Sequence, residues 1–261
     1  MQAQVRGLSQ RPDILVATPG RLLDHMWNGT INLGLMEILV LDEADRMLDM
    51  GFAQQINQIL DALPEERQTL LFSATLPADL TRLVQANVKD PVHIMVTPPA
   101  TTADGVTQEL HHTTHSRKSD LLVSLLRGER DTVLVFTGTK HRADSLGRTL
   151  GNAGHKVAVL HSDRTLPQRR AALEGFKRGT YRILVATDIA ARGIDVANIG
   201  HVVNYDLPHC PEDYVHRIGR TARMKTTGRA TSFVTAEDRA QLRAIEQLLG
   251  QSVPLAAGSP A

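Results

Sequence analysis

Short runs of apolar residues alternate with amphipathic stretches along this chain. The runs are rich in Val, Ile and Leu, whereas the stretches between them repeat their apolar positions at helical spacing. Strands that are apolar throughout and separated by helices are typical of a parallel sheet covered on both faces. The pattern therefore predicts an α/β fold. The predicted strands are residues 14–17, 38–41, 69–72, 132–136, 157–160, 183–186, 202–205 and 231–234, and the clearest predicted helices are residues 52–63, 118–126, 141–150 and 238–249.

One stretch interrupts this alternation. Residues 97–106 are rich in Pro, Thr and Ala without periodicity, which is typical of a linker between domains. The charge balance changes sign at the same place, because residues 1–106 carry 7 basic and 13 acidic side chains and residues 107–261 carry 22 and 15. We predict a first domain at residues 1–96, a linker at 97–106, a second domain at 107–250 and a disordered tail at 251–261.

The composition is that of an ordinary globular protein. Apolar residues make up 42% of the 261 residues and aromatic residues only 3%, so the predicted core is mostly aliphatic. No apolar stretch is long enough to span a bilayer, and residues 1–4 do not form a signal peptide. The single Cys210 fits a reducing compartment. We expect a cytoplasmic protein with no membrane contact. The basic excess after residue 106 suits phosphate contacts, although drift of surface charge would give the same imbalance.

Two adjacent carboxylates follow the second predicted strand. Asp42 and Glu43 come directly after residues 38–41, and in open α/β sheets ligands bind beyond the carboxyl ends of the strands. One carboxylate at such a place can hold Mg²⁺, usually through water, while the other activates an attacking water. The alternative is an acidic turn that caps the next helix, which is common at helix N-termini.

The neighbouring sequence favours the catalytic interpretation. Residues 42–45 are Asp-Glu-Ala-Asp, residues 46–52 are Arg-Met-Leu-Asp-Met-Gly-Phe, and residues 73–75, after the next strand, are Ser-Ala-Thr. In these strings the chain resembles the DEAD-box RNA helicases of helicase superfamily two. The resemblance implies two RecA-like parallel-sheet domains in tandem. It also implies that Asp42 binds Mg²⁺, that Glu43 is the general base, and that Ser73 and Thr75 couple the nucleotide site to RNA separation.

A turn that suits an anion follows the first predicted strand. Thr18 can cap a helix and Pro19 suits its first position, so the free N–H groups of the helix and Arg21 would attract a phosphate. An ordinary capped turn is the alternative. The string Thr18-Pro19-Gly20-Arg21 resembles the family's motif Ib, which implies that it contacts RNA.

Two arginines near the end of the second domain are the candidates for charge stabilisation. Arg220 and Arg223 are three residues apart and His216 lies four before Arg220, so on one helix all three would face the same side. Such guanidiniums could stabilise a transferring phosphoryl group, and a solvated basic helix is the alternative. The string resembles the family's motif VI, which implies that the arginines are arginine fingers and that the His links to motif III. The family usually has Gly where this chain has Ala222, which we expect to be a small change.

Two further strings resemble the family's motifs IV and V. They are residues 135–140 and residues 186–195. The resemblance implies that Thr139 and Thr187 contact RNA, that Arg192 supports domain closure, and that Asp195 meets the nucleotide ribose.

One string departs from the family. Residues 161–164 are His-Ser-Asp-Arg where the family usually has His-Gly-Asp, and Leu166 stands where Gln is common. Arg169 keeps the basic residue that the family uses to contact RNA. The departure bears on one contact to the RNA backbone.

Three other signals have structural interpretations. His111, His112 and His115 are expected to be solvated strand residues, because their spacing does not converge on one metal ion. Cys210 has no evident base partner, and Trp27 is predicted to pack beneath a helix.

The sequence lacks one part of the family's nucleotide site. No G-x-x-x-x-G-K-[S/T] string occurs, although in the family this phosphate-binding loop and the adenine-reading Q motif precede motif Ib. We therefore expect the chain to be N-terminally truncated and its first domain to be incomplete, with an exposed apolar face. The second domain is expected to fold alone.

The resemblance implies an ATP-dependent RNA helicase that uses ATP and Mg²⁺. It would grip the RNA backbone with little sequence specificity, as a monomer. This chain alone is expected to be inactive, because the positioning of phosphates and Mg²⁺ supplies most of the catalysis in phosphoryl transfer. Two alternatives stay open: a non-catalytic RNA-binding fragment and a DNA translocase of the same superfamily.

Overall fold

The computed structural model describes residues 2–95, 105–191, 196, 199–222 and 227–256. The chain divides into two compact units, Met1–Pro99 and Ala100–Ala261. This division falls within the predicted linker, of which residues 97–104 lie outside the described residues and Val106 already belongs to a strand. Within the described part of the chain, no helix is long and apolar enough to cross a bilayer.

The first unit contains a two-stranded parallel sheet. Its strands, β1 (Ile38–Leu41) and β2 (Gln68–Leu71), pair from Ile38 opposite Gln68 to Leu41 opposite Leu71. Both strands lie within one residue of their predicted positions. The helices of this unit are α1 (Gln2–Leu8), α2 (Pro19–Trp27), α3 (Ala44–Asp49), α4 (Ala53–Asp61) and α5 (Ala78–Asn87).

Only one face of this first sheet is covered within the described residues. Leu39 and Leu71 pack against apolar side chains of α4 and α5, whereas Ile38, Val40 and Leu70 on the other face are exposed. The prediction of a sheet covered on both faces is therefore wrong for this unit. The expected exposed apolar face is confirmed.

Two further predictions for the first unit are wrong. The strand predicted at residues 14–17 does not form, and Ile14 and Val16 are 82% and 92% exposed. An apolar run becomes a strand only beside a partner that shares its hydrogen bonds, and the described strands of this unit pair with each other. Trp27 is 72% exposed rather than packed, because the apolar side of α2 is formed by residues such as Leu23.

The second unit contains a six-stranded parallel sheet in the order β3-β8-β7-β4-β6-β5. Side chains of β4 alternate between two core clusters, with Leu134 and Phe136 in one and Val133 and Val135 in the other. This sheet is covered on both faces, as predicted. Its strands are β3 (Val106–His112), β4 (Val133–Phe136), β5 (Val157–Leu160), β6 (Ile183–Ala186), β7 (His201–Asn204) and β8 (Gly228–Val234), and its helices are α6 (Lys118–Leu126), α7 (Lys140–Asn152), α8 (Leu166–Lys177), α9 (Asp188–Ala191), α10 (Pro211–Ile218) and α11 (Arg239–Leu249).

The first part of the predicted disordered tail is packed. The Leu110 N–H donates to the Pro254 carbonyl, and the Ala256 N–H donates to the Leu110 carbonyl, each over 2.8 Å. Val253 and Ala256 are buried. The prediction of disorder is therefore wrong for residues 251–256, because the outer strand β3 offers backbone groups that need partners. Residues 257–261 lie outside the described residues.

Candidate functional site

The carboxylate loop, residues 42–45, joins β1 to α3. Asp42 and Glu43 are both exposed, and the Glu43 N–H donates to Asp42 Oδ1 over 3.0 Å. The Ala44 N–H donates to the Phe72 carbonyl over 3.0 Å, which ties the ends of β1 and β2 together. The predicted pair of carboxylates therefore lies at the carboxyl end of the sheet, where ligands bind in open α/β folds.

Glu43 has an unusual backbone conformation. It lies in the left-handed region, at φ 50° and ψ 48°, which costs a non-glycine residue about 1–2 kcal/mol. Within the described part of the chain its side chain makes no capping hydrogen bond to α3. The helix-capping alternative therefore does not explain this residue. Backbone strain of this kind clusters at functional sites.

Asp45 is a residue that the sequence analysis missed. It is buried, and its Oδ2 accepts hydrogen bonds from the Thr75 N–H at 2.9 Å and the Thr75 hydroxyl at 2.8 Å. The Asp45 N–H donates to Ser73 Oγ over 3.2 Å, and Ser73 Oγ donates to the Thr75 carbonyl over 2.7 Å. The carboxylate loop and the Ser-Ala-Thr string therefore form one hydrogen-bonded network. The signal available in the sequence was the third acidic position, three residues after Asp42.

The carboxylate loop fits Mg²⁺ held mainly by water and phosphate. Among the described residues, no three His, Cys, Asp or Glu side chains cluster as a metal site. Mg²⁺ usually binds one or two carboxylates together with water and substrate phosphates. A single exposed carboxylate such as Asp42 is consistent with that mode.

The turn at residues 18–21 has the predicted backbone geometry. Thr18 precedes α2 as its N-cap and Pro19 occupies the first turn. Arg21 already has partners, since its Nε donates to Gln4 Oε1 over 2.9 Å and its Nη1 to Asp24 Oδ2 over 3.3 Å. An RNA phosphate would compete with these contacts, so the RNA role of this turn stays a prediction.

The predicted arginine helix ends earlier than expected. Helix α10 stops at Ile218 with Gly219 as its C-cap, so His216 lies in its last turn and Arg220 lies beyond it. The Thr221 hydroxyl donates to the Ile199 carbonyl, and Ala222 follows in the left-handed region at φ 54°. Both features lie just beyond the end of the helix. The prediction that His216, Arg220 and Arg223 share one helix face is therefore wrong for the described residues, and Arg223 lies outside them.

Ala222 has a backbone conformation that favours glycine. Glycine adopts φ 54° without steric cost, whereas alanine does not. Ala222 is therefore a backbone substitution as much as a packing one.

A second residue that the sequence pattern did not reveal is Arg217, which lines a cleft in the second unit. It is buried and binds Asp188 through Nε and Nη2, over 2.6 and 2.7 Å. Its Nη1 donates to Asn204 Oδ1 over 3.0 Å and to the Asp206 carbonyl over 2.6 Å. Its guanidinium lies 4.9 Å from the centre of the Phe136 ring. This cleft, the arginine cleft, is lined by Phe136, Asp188, Ala191, Asp213, His216, Arg217 and Arg220.

The remaining predicted contacts follow strand ends of the second sheet. Exposed Thr139 caps α7 after β4, accepting the Arg142 N–H over 3.2 Å, and half-buried Thr187 follows β6. Half-buried Arg169 lies in α8, after β5. Because the strands are parallel, these strand ends share one edge of the sheet. Arg192 and Asp195 lie outside the described residues.

Two family models match the chain. Residues 1–83 match the DEAD/DEAH box helicase model, and residues 117–225 match the helicase conserved C-terminal domain model. The DEAD-box ATP-dependent RNA helicase CshA of Bacillus subtilis is 44% identical over 245 residues, which cover 94% of this chain and 50% of that protein. The chain thus spans about half the length of the curated relatives it matches.

Solved structures give the same family. Saccharomyces cerevisiae Dbp5 bound to RNA and ADP BeF3 matches 92% of this chain and 65% of its own, with 33% identity and a TM-score of 0.79. The Escherichia coli DEAD-box protein SrmB, bound to the regulator of ribonuclease activity A, matches with 31% identity and a TM-score of 0.56. That match covers 60% of this chain and 98% of the SrmB chain. The predicted RecA-like domains in tandem are thereby confirmed, and the chain belongs to the DEAD-box helicase family.

Proposed function

We propose that this chain is part of an ATP-dependent RNA helicase that couples ATP hydrolysis to local separation of RNA strands. The observation that carries the proposal is the network of Asp45, Ser73 and Thr75. It connects the carboxylate loop to the string that follows β2. A shift in the position of one would therefore break or move its hydrogen bonds to the other. A network of this kind is what coupling of nucleotide chemistry to RNA requires.

The first unit supplies the groups that act on water and metal. Glu43 serves as the general base, and its exposed carboxylate after β1 suits an attacking water. Asp42 holds Mg²⁺ through water. When bound, ATP and Mg²⁺ supply the transferable phosphoryl group and neutralise its developing charge.

The second unit supplies cations for the phosphoryl group and contacts for RNA. Arg220 and Arg223 stabilise the negative charge of the transition state, as arginine fingers do, and His216 links motif VI to motif III. Arg192 supports domain closure, and Asp195 meets the ribose of the bound nucleotide. The proposed contacts to the RNA backbone are Thr18, Pro19, Gly20 and Arg21 in the first unit and Thr139, Arg169 and Thr187 in the second.

The chain as it stands is proposed to lack turnover. Its sequence contains no G-x-x-x-x-G-K-[S/T] string, and that loop cradles the phosphates in related enzymes. The second candidate is accordingly a non-catalytic RNA-binding module. The basic excess of residues 107–261 favours it. The cytoplasmic location and the monomeric state stay predictions.

RNA-stimulated ATP hydrolysis by the 261-residue chain tests both candidates. RNA binding without turnover fits the proposal. Turnover that rises with RNA and disappears in Glu43→Gln would mean that other residues hold the phosphates. In a full-length protein with the phosphate-binding loop, Glu43→Gln should abolish turnover and keep ATP-dependent RNA binding.

Normal turnover in that full-length Glu43→Gln variant would remove Glu43 as the base. A comparison of RNA and DNA duplexes then separates the helicase from a DNA translocase. Separation of DNA duplexes alone would reject the RNA helicase.

A further inference from the structure

The Asp206 carboxylate has three hydrogen-bonding partners in the second unit. It lies two residues after β7, and it is buried. Its Oδ2 accepts the Gly138 N–H over 2.9 Å, and its Oδ1 accepts Lys118 Nζ at 3.2 Å and Arg142 Nη1 at 2.7 Å. One carboxylate therefore binds a backbone amide and two cations.

Two of these partners enclose the turn that leads into α7. This turn, the α7 entry turn, consists of residues 138–142 and contains the exposed Thr139. Asp206 holds its first residue through the Gly138 amide and its last through the Arg142 side chain. One carboxylate therefore contacts both ends of this segment, through a backbone amide at Gly138 and a side chain at Arg142. Thr139 lies within the segment, next to Gly138.

The three partners together keep the carboxylate charged, and the third of them is Lys118. Lys118 is buried beside Asp206, 3.9 Å from Asp238 and 5.6 Å from the centre of the Tyr205 ring. Burial raises the pKa of Asp206, but the Gly138 amide, Arg142 and Lys118 outweigh it and hold the pKa below its ordinary value. Asp206 is therefore ionised at neutral pH, where its hydrogen bonds are strongest.

The backbone of Asp206 reaches the other functional region of this unit. Its carbonyl accepts Arg217 Nη1 over 2.6 Å. Arg217 in turn binds Asp188, and both residues line the arginine cleft. A single residue thus contacts both the α7 entry turn and the cleft.

We propose that Asp206 is a positioning residue that holds the α7 entry turn in its RNA-binding shape and ties it to Arg217 in the arginine cleft. The inference rests on the proposed RNA function of Thr139. Asp206 does not touch RNA itself, because a carboxylate would repel the phosphates. Its effect on RNA binding passes through the turn.

The direction in which a charge-removing substitution changes RNA affinity tests this role. If Asp206 acted only as a negative charge near the RNA, Asp206→Asn would tighten RNA binding or leave it unchanged. Positioning predicts the reverse, a loss of about tenfold in affinity, because a charge-assisted hydrogen bond to the turn is weakened. The measurement is fluorescence anisotropy of a short labelled oligouridylate with the 261-residue chain.

Asp163→Asn is the matched control. Asp163 is exposed and pairs with Lys140 of the same turn over 2.8 Å. Removing its charge takes away one negative group near Thr139 without touching the Gly138 amide. This variant is expected to bind RNA as tightly as the parent or more tightly. A loss equal to that of Asp206→Asn would overturn the proposal.

A second variant guards against misfolding. Asp206→Asn leaves Lys118 buried without its main counter-charge, whereas Lys118→Met combined with Asp206→Asn removes the buried pair together, which is often tolerated. The double variant should melt as the parent does and still bind RNA about tenfold more weakly. Parent-like RNA binding by a folded double variant would reject Asp206 as a positioning residue.

Amide hydrogen exchange separates this inference from the proposed function. In both variants the amides of residues 138–142 should exchange faster than in the parent, while those of β5 and β6 keep their rates. If the parent chain fails to bind RNA, the proposed RNA contact is wrong, and exchange alone decides whether Asp206 holds the turn. Unchanged exchange at residues 138–142 would overturn the inference whatever the RNA result.

Discussion

The two units use the same kind of strand and reach different degrees of burial. In β4 every side chain is buried, whereas in β1 exposed positions alternate with half-buried ones. Both strands are short, parallel and apolar throughout. The difference lies in their neighbours, because β4 has a strand on each side and helices over both faces. An apolar strand therefore becomes fully buried only where strands and helices surround it, and the described part of the first unit provides only some of them.

The largest effect should appear when the units are produced separately. Residues 105–256 should unfold in one cooperative transition, because their sheet is covered on both faces. Residues 2–95 should bind the dye ANS and melt without a clear transition, since one face of their sheet is bare. Calorimetry and dye fluorescence measure both. A sharp transition in the first fragment would remove the contrast between the units.

Matched leucine truncations measure the same contrast inside the intact chain. Leu134 in β4 is 0% exposed and Leu70 in β2 is 38% exposed. Leu134→Ala should cost about 2–5 kcal/mol of the second unit's free energy of unfolding. Leu70→Ala should cost the first unit below about 1 kcal/mol. Hydrogen exchange resolved by residue reports each unit, and equal costs would contradict the burial difference.

The second unit should also lose stability in mild acid. Burial and the charge of Arg229 together lower the pKa of His201 to about 4, against the opposing effect of Glu129. The unfolded chain has a His pKa of about 6.5 and so takes up the proton first. The free energy of unfolding should therefore be full above about pH 6.5 and fall by on the order of 3 kcal/mol as the pH approaches 4.

His201→Gln isolates this titration. The variant has no imidazole to protonate, so its stability should change less between about pH 6.5 and pH 4 than the parent's. Urea unfolding of residues 105–256 at several pH values provides the comparison. The same pH dependence in both proteins would assign it to other groups.

The smallest effect concerns the turn after α10. Ala222→Gly should raise the free energy of unfolding of the second unit by about 1 kcal/mol, because glycine removes the cost of the left-handed conformation. Ala171→Gly, at an exposed position inside α8, is the control with the opposite sign, since glycine is unfavourable in a helix interior. The melting temperature should rise in Ala222→Gly and fall in the control variant.

The sequence predicted the second unit better than the first for a physical reason. Residues 157–160, 183–186 and 118–126 have the predicted bounds, because local pattern and tertiary surroundings agree there. Residues 14–17 have the same pattern but no described strand beside them. Periodicity along the chain contains no information about whether a partner strand is present.

The candidate site shows the same limit. The pattern placed Asp42 and Glu43 after β1, as the structure does. It did not reveal Asp45 or Arg217, because their roles depend on partners such as Thr75 and Asp188 that are distant in sequence. It also extended α10 too far, since the hydrogen bond from Thr221 to Ile199 is a tertiary contact.

Residues 251–256, which pair with Leu110 of β3, determine where the chain can be truncated for experiments. Helix α11 ends at Leu249, which makes Gly250 an inviting place to cut. A fragment cut there would lose Pro254 and Ala256 and leave the Leu110 amide and carbonyl without those partners. Its open strand edge would favour pairing between copies, so its solubility would depend on concentration. A fragment of this protein should therefore extend at least to Ala256, and a C-terminal purification tag should be attached after that residue.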